Sequence, residues 1–154
     1  MPGPRREEAV RWYRQAAQDL RAARWNLEGE FFDTACFLCQ QAAEKALKSV
    51  LYHTGARREA LLTHAVFEML QQVQDAVPVA EESLEAGRRL DLHYVASRYP
   101  NGLPSGYPHA FYSKGIAGQA LADADKLFAM VRAYYRGSGD EGLLQEPGGG
   151  EAGA

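Results

Sequence analysis

The chain has 154 residues, 46% of them hydrophobic and 24% charged, with a formal net charge of −3. That composition suits one globular domain with a single core and excludes a wholly disordered chain. The charge is too small to announce nucleic acid by itself, and no apolar run reaches the ~18 residues of a membrane span.

The N-terminal MPGPRREEAV has no apolar signal core, so a cytoplasmic protein is expected. A first helix is predicted from Arg5 to Glu28. Ala9, Trp12, Tyr13, Ala16, Leu20, Ala23 and Leu27 recur at helical spacing and form its apolar face. Arg6, Arg14, Arg21 and Arg24 line one flank, with Arg11 beside them. They read either as a solvated side or as a stripe facing phosphates, for which arginine is the better-shaped cation. Gly29 supplies the stop.

A second helix is predicted from Asp33, as N-cap, to His53, with Gly55 ending it. Its small residues Ala42, Ala43 and Ala46 invite close packing, and Glu44 and Lys48 form an acid-before-base pair four residues apart. Cys36 and Cys39 lie one turn apart within it. No second Cys or His pair stands at zinc-finger spacing, so they are read as buried small hydrophobes and no metal or cofactor is expected. Arg57 and Arg58 fall in a polar connection.

Thr63 is the predicted N-cap of a third helix, His64 to Ala76, with His64 in its first turn. Pro78 opens a fourth that runs to Arg98, where Pro100 forbids continuation. A last helix is predicted from Ser113 to Tyr135. The remaining 18 residues, GSGDEGLLQEPGGGEAGA, hold Asp140, Glu141, Glu146 and Glu151 but no base, and read as a disordered tail from Gly137. The sum is an all-α antiparallel bundle of about five helices over residues 1–136.

The exception is the connection from Tyr99 to Tyr112 within DLHYVASRYPNGLPSGYPHAFYSKG. Loops of this length without structure of their own are uncommon and often functional. Arg98 beside Tyr94, Tyr99, Tyr107 and Tyr112 could hold a nucleotide or pack at an interface.

Two segments, QQAAEKALKSVL (Gln40–Leu51) and LDLHYVASRYPNGLP (Leu90–Pro104), together resemble the HEPN family of nucleotide-binding domains. WYRQAAQDLRAAR (Trp12–Arg24) and LLTHAVFEML (Leu61–Leu70) fit it in order and spacing. The resemblance implies a five-helix bundle that forms homodimers, and one of three roles. These are a metal-independent endoribonuclease or toxin, an accessory partner of a separate nucleotidyltransferase, or a nucleotide-binding domain. The ribonuclease branch carries an arginine followed, after four to six residues, by a histidine. The arginine would neutralise the scissile phosphate while the histidine moves the proton of the ribose hydroxyl.

Arg98 stands where that arginine belongs, but the next histidine is His109, too distant in sequence for the motif. Arg88 and His93 meet the spacing further upstream, where a helix would turn them apart. The expectation is therefore a nucleotide-associated module paired with a nucleotidyltransferase, with the ribonuclease as the alternative. The candidate ligand-binding residues are Arg98, Tyr99, His109, His64 and Lys45. Arg98 and His109 are also the catalytic candidates.

Overall fold

The computed structural model describes residues 3–145. Helix α1 spans Pro4–Glu28 and α2 Phe32–Thr54. The short connection between them makes an antiparallel pair. Alanines hold it close: Ala9, Ala16 and Ala23 on α1, and Ala35, Ala42, Ala43 and Ala46 on α2, are all at most 1% exposed. Without large side chains between them the backbones can approach, and Ser49 Oγ donates directly to the Ala9 carbonyl at 2.7 Å. Gly55 closes α2 in the left-handed conformation at φ 74°, as its position predicts.

Helix α3, Arg58–Leu62, is a single turn where only a polar connection was expected. Helix α4, Val66–Val73, is shorter at both ends than the expected third helix. Its first two amides, Val66 and Phe67, donate to the two oxygens of Asp91 at 2.7 and 3.0 Å. Thr63 takes the Ala65 amide at 3.0 Å, so the cap is shared between a near residue and a distant one.

The expected fourth helix, Pro78 to Arg98, is instead two pieces, α5 (Glu81–Asp91) and α6 (His93–Ala96), separated at Leu92. Asp91 stands at the break. Its carboxylate is committed to α4 across the bundle, and the Leu92 amide closes a tighter bond to the Arg89 carbonyl at 3.3 Å. Burial pushes the Asp91 carboxyl above its ordinary range, and the two α4 amides offset only part of that. Gly87 lets α5 approach α4, since a Cβ there would come within 2.6 Å of Leu70.

The long connection folds back on α6 as a single 3-10 turn, Pro100–Gly102, followed by the short helix α7, Pro108–Phe111. A Cβ on Gly102 would come 2.9 Å from Ala96 Cα, so the turn needs glycine. Helix α8, Lys114–Gly137, is capped by Ser113 and runs antiparallel to α1, joining Arg24 to Asp125 at its middle and Tyr135 to Tyr13 near its end. Cys36 and Cys39 are fully buried free thiols, and burial pushes Cys36 up to about 12 and raises Cys39 as well. Among the described residues, no strand forms and no helix is long and apolar enough to cross a membrane.

The expected tail needs correcting at its start. Gly137 ends α8, a 3-10 turn covers Glu141–Leu144, and Leu143 is 1% exposed in the core. Residues 146–154 of that tail lie outside the described residues. Asp140 anchors the segment, because Arg6 grips its carboxylate through Nε and Nη2 at 2.9–3.1 Å and His53 Nε2 donates to it at 3.0 Å. The Arg6 guanidinium, helped by His53, holds the Asp140 carboxyl below the usual carboxylate range.

A depressed folded-state value means stability that is present above the unfolded value and lost as pH falls through the folded one. Asp140→Asn is therefore expected to cost about 1 kcal/mol at neutral pH, or ~2–4 °C in Tm. That gap should narrow below about pH 4. Thermal melts of both proteins at neutral and acidic pH check it, and a gap independent of pH would remove the ion pair as its source.

Candidate functional site

The site is built on one ridge of α2. Asp33, Phe37, Gln41, Glu44 and Lys48 follow one another three or four residues apart, so helical geometry stacks them along a single face. Asp33, Phe37, Glu44 and Lys48 are each met by a side chain from another element, while Gln41 bonds within α2.

At the middle of the ridge is Arg98, just after α6. Its Nε and Nη2 donate to the Tyr94 carbonyl at 2.9 and 2.6 Å, which fixes the guanidinium plane. The cation lies over Phe37 at 4.4 Å, Tyr94 at 4.8 Å and Tyr99 at 5.0 Å. Contact with ring faces favours a cation. No carboxylate among the described residues pairs with it, and Arg98 stays exposed. Tyr99 serves as one wall and is itself 51% exposed.

Towards the C-terminal end of the ridge, His64 Nδ1 lies 2.6 Å from Glu44 Oε1. An ionised carboxylate only accepts, so the imidazole donates and its Nε2 is left outward. Glu44 is 3% exposed and is also approached by Gln41 at 3.1 Å and Lys48 at 3.5 Å. The His64 ring stacks on Tyr94 at 5.4 Å with 14° between planes, so His64, Tyr94 and Arg98 form one continuous surface.

Towards the N-terminal end, α7 carries His109 onto Asp33, Nδ1 donating to Oδ1 at 2.9 Å, with Phe31 packed beside the ring at 6.0 Å. The loop thus folds His109 back to the turn of α2 next to the one that seats Arg98. Four residues of helix separate their anchors by ~6 Å. Glu44 lies seven residues beyond Phe37, ~10 Å along the axis. The two histidines thus flank the Arg98 seat, His109 from the N-terminal side of the ridge and His64 from the C-terminal side through Tyr94.

The other expected residues fall elsewhere. Lys45 turns to α1, where Nζ donates to Asp19 at 2.6 Å and to Gln41 at 3.2 Å, a half-buried tie between the first two helices. Arg88 lies over Phe67 and pairs with Glu81 and Glu85, while His93 meets the Tyr112 hydroxyl at 2.9 Å. That pair points apart, as a helix requires. Burial lowers the His93 value. No group of three or more potential metal ligands occurs among the described residues.

The bundle as a whole is similar to known proteins. A family model, the HEPN domain, matches residues 9–134. The chain belongs to the HEPN family.

Solved structures agree with the match. TT1696 from Thermus thermophilus is 34% identical, with a TM-score of 0.77 over 82% of this chain and 98% of that one. ST0689, described as an archaeal HEPN homologue, is 29% identical, with a TM-score of 0.69 over 82% and 96%. A HEPN domain protein from Thermotoga maritima, tm0613, is 30% identical, with a TM-score of 0.65 over 82% and 98%. No curated protein matches the sequence.

In this HEPN chain the residues that sequence reasoning passed over are the anchors on α2: Asp33, Phe37 and Glu44. Their signal was present as a helical ladder of polar and aromatic positions. It is silent without knowing that α6 and α7 fold onto that face.

Proposed function

We propose that this HEPN protein binds a nucleotide or RNA phosphate at Arg98 and works as the accessory partner of a nucleotidyltransferase. The observation that carries the reading is the Arg98 guanidinium, held rigid by the Tyr94 carbonyl and three rings, exposed, and free of any carboxylate among the described residues. Its outward N–H groups suit phosphate oxygens, and His64 presents a fixed Nε2 one ring away. Exposed Leu92, Val95, Tyr99 and Phe111 around the site support assembly as a homodimer. The nucleotidyltransferase partner rests on the family resemblance.

Titration with a labelled nucleoside triphosphate and a short 3′-phosphorylated RNA tests the reading. Arg98→Ala is expected to weaken binding by about 10- to 100-fold with an unchanged melting temperature, because the side chain is exposed. Arg98→Lys should not restore it, since lysine lacks the planar fork. Equal binding by wild type and Arg98→Ala would sink the proposal.

A metal-independent ribonuclease is the second reading, favoured by the His109–Asp33 pair one helical turn from the Arg98 seat. A carboxylate that orients Nδ1 leaves Nε2 free to move a proton. Cleavage of a mixed RNA pool in EDTA, lost in both Arg98→Ala and His109→Ala, would establish it. Binding without cleavage would leave the accessory role.

A further inference from the structure

The arginine flank of α1 is not used by the Arg98 site. Two of its members, Arg21 and Arg24, face α8, where two hollows of about 450 Å³ each meet at Tyr13 and Arg132. Arg21, Arg24, Trp25 and Phe128 line the first, and Arg136, Glu141 and Leu144 the second. From Tyr13 to Glu28 the α1 wall is ~22 Å long. No residue of this groove belongs to the Arg98 site.

Its charges are available. Arg21 and Arg132 have no carboxylate partner among the described residues, and Arg132 lies over the Phe128 ring at 5.9 Å. Arg24 pairs with Asp125, and Arg136 with Glu141 at 3.4 Å, but all four side chains are more than 40% exposed. Such pairs gain little over hydration, so a phosphate can displace the acid. Glu28, Asp125 and Glu141 lie among the arginines and moderate the field. Trp25 at the lip is 75% exposed, and no aromatic ring among the described residues stacks on it.

We infer that the α1–α8 groove is a second binding surface, whose ligand is a single strand of nucleic acid. Guanidiniums spaced along a groove suit a phosphate backbone, and one exposed indole gives any base a stacking face. An acidic protein would also find charge complementarity here. A row with a bare ring at one end suits a strand better than a compact acidic patch.

The test is fluorescence anisotropy of labelled oligouridine with the full chain, repeated in an Arg98→Ala background so that the two sites are read separately. Arg21→Ala with Arg132→Ala is expected to weaken binding about tenfold or more. The slope of log affinity against log salt should fall by about 1.4, near 0.7 for each phosphate no longer neutralised. Trp25→Ala should weaken binding about tenfold.

Arg21→Glu provides a variant at an exposed position should Arg132→Ala disturb packing; it should bind more weakly still, with an unchanged melt. Wild-type affinity in the double variant and in Arg21→Glu would overturn the inference. So would complete loss of binding in Arg98→Ala alone, which would put all RNA at the first site. Binding of polyglutamate in place of oligouridine would also overturn it and give the groove to an acidic protein.

Discussion

Replacing Glu44 by alanine is expected to cost about 3–5 kcal/mol and lower Tm by roughly 10 °C. The side chains of Glu44 and Lys48 are 4% and 7% exposed, and their charges lie 3.5 Å apart. Truncating the acid strands an ammonium group in the interior, over the Trp12 ring at 5.1 Å from its centroid. It also removes the acceptor used by Gln41 and His64. The double variant Glu44→Gln, Lys48→Met should recover most of the loss, because two neutral groups need no counter-charge. Chemical denaturation of the wild type, Glu44→Gln, Lys48→Met and the double closes the cycle. A Glu44→Ala cost below about 1 kcal/mol would mean that Lys48 reaches water. If the double variant folds well yet binds nucleotide more weakly than wild type, Glu44 also positions His64.

Tyr135→Ala should cost a similar ~3–5 kcal/mol, by a different route. The ring is fully buried where α1, α2 and α8 meet, edge-on to Tyr13, His53 and Tyr134. Its hydroxyl is 2.5 Å from Ser49 Oγ, which itself donates to the Ala9 carbonyl. Alanine there opens a cavity at the junction and loosens the segment that places Asp140 on Arg6. Tyr135→Phe keeps the volume and removes one hydrogen bond, so about 1 kcal/mol is expected. Ser49 retains its bond to Ala9. Equal costs for the two substitutions would show that the hydroxyl, not the ring, is what matters.

The main helices were legible because each carries its own period and stop. The apolar face of α1, Gly55 after α2 and Pro100 after α6 are local signals, read within a turn or two. The break at Leu92 was not legible. Beside it Asp91 serves the amides of Val66 and Phe67, a contact made only once the bundle has folded. The ordered start of the tail involves a contact of the same kind, since Asp140 is held by Arg6 from the other end of the chain.

The site divides in the same way. Arg98, Tyr99 and His64 were named from the sequence and do come together through Tyr94. His109 reaches the neighbouring turn by a route that spacing does not encode. Lys45 does not join them, because its near partner is Asp19 on α1. Glu44 reads in sequence only as the acid of an acid-before-base pair with Lys48. A glutamate before a lysine at that spacing looks the same in sequence whether water or protein surrounds it.

The single ridge on α2 also sets how this protein can change. Substitutions at Asp33, Phe37 or Glu44 act one at a time, but inserting or deleting one residue between them would rotate everything beyond it by ~100°. His64 would lose its carboxylate while Arg98 kept its ring, and the alanine seam against α1 would turn away with it. Length variation in this family member should therefore be tolerated in the Leu103–Tyr107 loop and resisted within α2, although both lie beside the same site.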